Sequence, residues 1–337
     1  MRLEFLQLPA EERGLYIEQA AVRRNLSPVL IEKDFWVSWM LGVLFESKFA
    51  DALVFKGGTS LSKVFGVIER FSEDIDLSLS PDFLELKPPG TSRNQANKWM
   101  KAAEAVCSFA VQNTIAPELE SVVVTVLGAK AGGWFEFFND PLTNSPVLLF
   151  HYPTSQPTGF DYLKRSVKLE FGSLTDQRPT GRHSVRPWMA EELESAFADW
   201  RCEVVSLELE RTFWEKATIL HAEHHRPSGK PIPDRFSRHY ADTAALARHS
   251  GAEDALRNDA IRQRVVEWKS IFFASAWARY DIASPGTFCL LPTTEQVPEL
   301  RRDYQAMRDM YLSEPPSFDE VLAGLNDLEK RINEQMT

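Results

Sequence analysis

A mixed pattern of apolar and polar positions fills the first two hundred residues, and a mainly helical pattern follows. The first fifty residues predict two helices, the second beginning at Pro28 with Ser27 as its N-cap. Short apolar runs and period-two alternation predict strands over 52–55, 74–79, 121–127, 147–152, 166–171 and 202–206. Helical spacing predicts helices over 59–65, 92–112, 207–221, 235–249, 253–275 and 319–335. We therefore expect an α+β fold with a mixed domain over 1–205 and a helical domain over 206–337.

A glycine turn lies between the first predicted strand and the helix after it. Gly57 and Gly58 free main-chain N–H groups at a helix N-terminus, an arrangement that binds phosphate. Without side chains there, a triphosphate can approach the main chain closely. Thr59 and Ser60 follow and add hydroxyl donors. The sequence therefore predicts a polyphosphate cradle at this turn.

Two aspartates follow on the next predicted strand. Asp74 and Asp76 are at positions i and i+2, which point to the same face of a strand. Paired carboxylates are hard oxygen ligands suited to Mg²⁺, and a two-metal site can activate a hydroxyl and stabilise a leaving pyrophosphate. A Gly-Gly turn and an Asp-x-Asp pair are each common alone. A Gly-Gly turn followed closely by an Asp-x-Asp pair is much less common. The combination indicates metal-assisted chemistry on a polyphosphate.

The same residues carry a resemblance to a known family. Gly57–Lys63 followed by Arg70–Leu77 resembles the nucleotidyltransferase core of the AbiEii/AbiGii toxins, a branch of the DNA polymerase β-type superfamily, and Glu32–Trp36 is similar to their N-terminal signature. The resemblance covers residues 30–80 and, in patches, 165–245. It implies a nucleotidyltransferase-like mixed sheet with flanking helices. It also implies that Asp74 and Asp76 bind Mg²⁺ or Mn²⁺ and that NTP contacts come from Gly57, Gly58, Thr59, Ser60 and Lys63.

This superfamily uses a third carboxylate on a neighbouring strand. Residues 166–171 alternate so that Lys168 and Glu170 share one face. Glu170 is the candidate general base or shared metal ligand, and Lys168 is a candidate nucleotide contact. The alternative is an exposed Lys–Glu strand face with no role in chemistry.

Two helical motifs of the predicted C-terminal domain extend the resemblance. Lys216, on an otherwise apolar helix, matches a family lysine that would neutralise a triphosphate. Asp242 and Arg238 match a second motif, in which His239 and Tyr240 stand where the family commonly has Lys and Asp. Asp242 is expected to orient Lys216 or the nucleotide base. A Glu–Lys surface pair is the alternative for Lys216.

Composition narrows the class of protein. The 48 Asp and Glu against 38 Lys and Arg give a net charge of −10, which argues against non-specific coating of nucleic acid. The 3 cysteines include no Cys-x-x-Cys pair, which excludes a cysteine-built zinc site and fits reduced thiols. The chain has neither a signal peptide pattern nor an apolar run long enough to cross a membrane. We expect a cytoplasmic protein that does not bind membranes.

Three other features could bind a ligand, but each has an ordinary structural explanation. His221, His224 and His225 share a helical face, but a solvated helix end is favoured over a zinc site. The basic segment over 223–240 could bind a phosphate backbone, although a solvated loop is favoured. The aromatic runs at 134–138 and 150–152 are more typical of core than of base stacking.

These patterns predict a metal-dependent transferase that moves NMP from an NTP to a hydroxyl and releases pyrophosphate. By resemblance it is the toxin of a toxin–antitoxin or phage-defence system with a cognate antitoxin, and RNA, at the tRNA 3′ end, is the favoured acceptor. NMP transfer to a protein, similar to AMPylation, is the alternative within the class. A non-catalytic nucleotide- or partner-binding module is the alternative outside it, and retention of both Asp74 and Asp76 argues against it.

Overall fold

The computed structural model describes residues 4–87, 93–156 and 164–334. The chain forms two compact units, the first from Met1–Val64, Ser72–Gly90 and Lys98–Ser206 and the second from Phe65–Phe71, Thr91–Asn97 and Leu207–Thr337. No helix in the described ranges is both long and apolar enough to cross a membrane.

The bounds of the regular elements are as follows. The strands are β1 Leu53–Lys56, β2 Asp74–Leu79, β3 Phe135–Asn139, β4 Pro146–Phe150, β5 Val167–Gly172, β6 Thr180–Val185 and β7 Cys202–Leu207. The helices are α1 Glu4–Gln7, α2 Ala10–Arg24, α3 Pro28–Phe45, α4 Gly57–Lys63, α5 Arg93–Ala110, α6 Ala116–Leu127, α7 Trp188–Glu192, α8 Glu194–Phe197, α9 Leu209–His224, α10 Ser237–Arg248, α11 Ala252–Arg257, α12 Asp259–Phe272, α13 Val297–Ala306 and α14 Phe318–Asn333.

A seven-stranded mixed sheet organises the first unit, in the order β3-β4-β5-β2-β1-β7-β6. The central strand β2 pairs antiparallel with β1 and parallel with β5. Ile75 and Leu77 of β2 are fully buried, whereas Asp74 and Asp76 are half-buried on the opposite face. The predicted mixed sheet with flanking helices is thus confirmed, and its centre carries the two aspartates.

Helix α3 is buried along most of its length. Pro28 occupies its first turn, and the Ser27 side chain accepts a hydrogen bond from the Leu30 N–H at 3.4 Å, as predicted for the cap. Trp36 and Trp39 are each at most 2% exposed and meet edge to face. A buried helix such as this one gives the first unit a fixed support.

The second unit is helical as predicted. Helix α14 begins with a complete capping box between Ser317 and Glu320. Its apolar stripe is buried, and consists of Val321, Leu325, Leu328 and Ile332.

Some predicted elements were wrong. The strand predicted over 121–127 is part of the helix α6. The buried residues of this helix, Leu119 and Val123, are four positions apart, which is about one turn of a helix. The single helix predicted over 253–275 is two helices that meet at Asn258, whose ψ of 73° interrupts the first one. Strands β3 and β6 were not predicted. The predicted helix limits at Ser92 and Gln335 lie outside the described residues.

Candidate active site

The carboxylate of Asp76 lies against the main chain of the glycine turn. Gly57 has a φ of +82°, and a Cβ built on it would be 2.0 Å from Asp76 Oδ2. Asp76 is also the cross-strand partner of Lys56, the residue that precedes the turn. Only a residue without a side chain fits Gly57, both in conformation and in space.

Asp74 has an unusual protonation equilibrium. Burial and then the negative charge of Asp76 raise the pKa of Asp74 to about 6, although Lys168 opposes the shift. Two carboxylates on one face of β2 thus repel each other in a partly desolvated place. A cation bound there would relieve this repulsion, which is the electrostatic property expected of a metal site.

A third carboxylate is in register with this pair. Strand β5 pairs in parallel with β2 so that Lys168 lies beside Asp74 and Glu170 beside Asp76. The Lys168 ammonium is 2.7 Å from Glu170 Oε2 and 3.4 Å from Asp140 Oδ2. Burial lowers the pKa of Lys168, but the hydrogen bond and charge of Glu170, with Asp74 and Asp140, outweigh it and raise that pKa. The structure thus brings Asp74, Asp76, Lys168 and Glu170 together on one sheet face.

The hydroxyls of Thr59 and Ser60 are buried, and their role as phosphate donors stays a prediction. Thr59 is 1% exposed, and its Oγ1 donates to the main-chain oxygen of Asp74 at 2.5 Å. Ser60 is fully buried. The Thr59 bond joins α4 directly to β2. A phosphate at this turn would meet main-chain N–H groups of Gly57 and Gly58 rather than side chains.

The Lys63 ammonium is held inside the first unit, and its contact with the nucleotide stays a prediction. It forms an ion pair with Asp34, and both side chains are at most 5% exposed. It also donates to the main-chain oxygen of Arg186 at 3.1 Å. Burial raises the pKa of Asp34, and Lys63 together with the Trp188 N–H opposes this shift. Lys63 therefore fixes the end of α4 to α3.

The other charges of the Glu32–Trp36 signature are also buried and paired. Lys33 forms an ion pair with Glu73, the residue before Asp74, and donates to the main-chain oxygen of Lys164 at 2.7 Å. Glu32 accepts hydrogen bonds from Thr154 and Ser155. Through Lys33 and Asp34, helix α3 therefore holds both β2 and α4, the two elements that carry the carboxylates and the glycine turn.

The second unit contains a buried charge cluster. Asp242 accepts two hydrogen bonds from Arg70, at 2.8 and 2.9 Å, and one from Lys216 at 2.7 Å. Burial would raise the pKa of Asp242, but these two cations hold it far below its usual range. Burial lowers the pKa of Lys216, and Asp242 counters part of the effect. The structure thus brings Lys216 and Asp242 into contact, as expected of an aspartate that orients this lysine.

His239 and Arg238 flank this cluster differently. His239 Nδ1 is 3.4 Å from the Lys216 ammonium. Burial and the neighbouring Lys216 and Arg238 charges lower the pKa of His239 well below its usual value, so this ring is neutral at pH 7. Arg238 is exposed.

Sequence reasoning missed three residues that support these sites: Arg70, Lys33 and Asp34. All three lie inside the quoted motifs. A charged residue within an otherwise apolar helix, as in Ile31–Met40, was the available signal that Lys33 and Asp34 are buried and paired.

A glycine turn opens a helix here beside three carboxylates on neighbouring strands, which is the arrangement that the resemblance implies for a nucleotidyltransferase. Residues 39–324 match the family model described as nucleotidyl transferase AbiEii toxin, type IV toxin–antitoxin system. Because the match spans most of the chain, this protein belongs to the AbiEii family and is a nucleotidyltransferase of the toxin class. The resemblance carried by Gly57–Lys63 and Arg70–Leu77 is thereby confirmed.

The chain is similar to MenT4, a nucleotidyltransferase toxin from Mycobacterium tuberculosis, at 14% identity and a TM-score of 0.40, with 97% of this chain and 96% of that chain covered. No curated protein matches the sequence significantly.

Proposed function

We propose that this protein transfers NMP from an NTP to the 3′ end of a tRNA, and that this transfer is the toxic activity of a toxin–antitoxin pair used in phage defence. Family membership implies an NTP substrate and a cognate antitoxin. The reaction would take place in the cytoplasm, where both substrates are found. The observation that carries the proposal is the contact between Asp76 and Gly57, with Glu170 in register beside Asp76.

The oxygen ligands support a hard divalent cation. Asp74, Asp76 and Glu170 would hold Mg²⁺ or Mn²⁺, and the raised pKa of Asp74 reports the mutual repulsion that such an ion would relieve. When bound, the ion supplies Lewis-acid stabilisation of the triphosphate. Main-chain N–H groups at Gly57 and Gly58 would hold the phosphates, because the turn opens a helix there.

The group transfer then needs a nucleophile and a base. The acceptor hydroxyl oxygen bonds to the α-phosphorus, the bond from that phosphorus to the bridging oxygen breaks, and pyrophosphate leaves. Glu170 would take the hydroxyl proton, since one of its oxygens is bound by Lys168 and the other can act as base. Lys168 would fix the orientation of that carboxylate. Roles for Lys216, Asp242 and Arg238 on the nucleotide stay predictions, tested by measuring transfer in Lys216→Met.

Transfer of radiolabelled nucleotide tests the proposal. Each of the four α-labelled NTPs is incubated with Mg²⁺, the purified protein and either total tRNA or total protein. Wild type is compared with Asp76→Asn and with Asp82→Asn, a matched control because Asp82 is an exposed aspartate in the same unit. We expect labelled tRNA with wild type and Asp82→Asn, and a loss of at least about 100-fold with Asp76→Asn.

The other outcomes separate the alternatives. Label in protein with unlabelled tRNA would overturn the RNA acceptor and favour an AMPylation-like reaction. Equal transfer and equal toxicity of wild type and Asp76→Asn would overturn the assignment of the site.

A further inference from the structure

A second cluster of metal-ligating side chains lies in the second unit. His224 and His225 end α9, and Cys289 lies in the segment between α12 and α13. One ring nitrogen of each histidine and the Cys289 sulfur lie within 4.8 Å of one another, and all three side chains are half-buried. Tetrahedral Zn²⁺ with nitrogen and sulfur ligands needs separations of about 3.3–3.6 Å, so a closure of at most about 1.5 Å brings the three atoms together.

Each of the two histidine rings has its Nδ1 within hydrogen-bonding distance of a main-chain oxygen. His224 Nδ1 is 2.7 Å from the main-chain oxygen of Leu291, and His225 Nδ1 is 2.8 Å from that of His221. A carbonyl oxygen can only accept, so each Nδ1 carries the proton and each Nε2 keeps a lone pair for a cation. Metal-ligating histidines typically donate their other N–H to a carbonyl or carboxylate in this way.

His221 supports this cluster rather than joining it. Its Nδ1 accepts from the Cys289 N–H at 3.1 Å, and its Nε2 lies 3.0 Å from the Arg279 main-chain oxygen. Glu329 accepts from the Leu290 N–H on the other side of the cysteine. The segment that carries Cys289 is therefore held on both sides of its sulfur before any metal binds.

We propose that His224, His225 and Cys289 bind Zn²⁺, with the fourth position open to water. Imidazole and thiolate form a zinc ligand set, whereas Mg²⁺ requires oxygen, so this site is chemically separate from the one at Asp74 and Asp76. The thiol proton leaves to solvent on binding. The sequence favoured a solvated helix end for the histidines, and the proposal instead places His224 and His225 around an ion together with Cys289. The ion would join the end of α9 to a segment 64 residues later in the chain, counted from His225 to Cys289.

Cobalt spectroscopy tests the proposal on the full chain. Chelator-treated protein is titrated with Co²⁺ and then with Zn²⁺. We expect a thiolate charge-transfer band that saturates at one Co²⁺ per chain and is abolished by Zn²⁺. Binding read from this band should be at least tenfold weaker in Cys289→Ser and in His224→Ala. His151→Ala, which removes an exposed histidine outside the cluster, should bind as wild type. No charge-transfer band, or a band that persists in Cys289→Ser, would overturn the proposal.

A measurement on the unmutated chain tests the zinc site even if the variants fail to fold. Zn²⁺ should slow alkylation of Cys289 at least tenfold, read by mass spectrometry of its peptide. An unchanged rate would contradict the site. The Co²⁺ charge-transfer band should also survive in Asp76→Asn, so the two proposals can fail separately. Failure to transfer nucleotide, with the band present, would overturn only the proposed function. Absence of the band, with transfer present, would overturn only the zinc site.

Discussion

The carboxylate of Asp76 occupies the space that a side chain on Gly57 would take, 2.0 Å from Oδ2 to the position of a Cβ. The turn and the acid therefore constrain each other. We expect Gly57→Ala to displace Asp76 and to reduce nucleotidyl transfer at least about 100-fold in kcat/KM. Steady-state kinetics with labelled NTP measure the loss.

Gly132→Ala is the matched control for this substitution. Gly132 also has a φ of +82°, but nothing lies within 4 Å of the position of its Cβ. Both variants carry the same backbone strain, about 1–3 kcal/mol of lost stability. Only Gly57→Ala should lose transfer, and equal losses would contradict the role of the Asp76 contact.

Metal binding should depend on pH through Asp74. A proton on Asp74 competes with the cation, and burial with the Asp76 charge raises the pKa of this group to about 6. The affinity for Mg²⁺ should therefore be constant above pH 7 and fall about tenfold per pH unit well below 6. Isothermal titration calorimetry across pH 5–8 checks this, and a flat profile would exclude Asp74 as a ligand.

Lys168→Gln should move that profile in a stated direction. The Lys168 charge lowers the pKa of Asp74, so its removal raises that pKa further. The pH at which Mg²⁺ binding is half-lost should therefore increase. Lys87→Gln, at an exposed lysine, is the comparison that should leave the profile unchanged.

Asp242→Asn should destabilise the protein by about 3–5 kcal/mol, because it leaves the buried Arg70 and Lys216 cations without their carboxylate. Urea denaturation measures this cost. Asp254→Asn removes a surface pair with Arg257, both side chains more than 60% exposed, and should cost less than about 1 kcal/mol. A similar cost for both variants would refute the account.

The sign of the pH effect follows from the lowered pKa of Asp242. Below the pKa of an unfolded aspartate, about 3.9, the unfolded chain takes up a proton that the native state resists. The stabilisation by Asp242 is therefore full at neutral pH and is lost as the solution becomes more acidic. Asp242→Asn should make the acid limb of the stability profile less steep.

Asp34→Ala should also lower the free energy of unfolding of the first unit. It removes the partner of the buried Lys63 ammonium and an acceptor of the Trp188 N–H, so a loss of about 3–5 kcal/mol is expected. Glu118→Ala removes the partner of the exposed Lys48 and should cost less than about 1 kcal/mol. Thermal denaturation of the pair gives the comparison.

The local pattern of apolar and polar residues was enough to predict the strands and helices in which that pattern has a clear period of two or about 3.6 residues. Strand β2 begins and ends where the alternation predicted, because its buried and half-buried residues alternate over Asp74–Leu77. Strand β6 was missed because Thr180–Val185 is polar and mostly exposed. The site could be predicted as far as residues close in sequence, such as Gly57 and Asp76. The Arg70–Asp242 contact joins residues 172 positions apart, and no spacing rule reaches that far.

The short segment Phe65–Phe71 belongs to the second unit although both its neighbours in sequence belong to the first. Its main chain bonds to Met310 and Leu312, and its Arg70 meets Asp242. A break after residue 205 would therefore leave Arg70 in one fragment without its carboxylate partner. The other fragment would contain Asp242 without Arg70. Chimeras, split reporters and truncations of this protein need two or more junctions, because no single break in the polypeptide separates its halves.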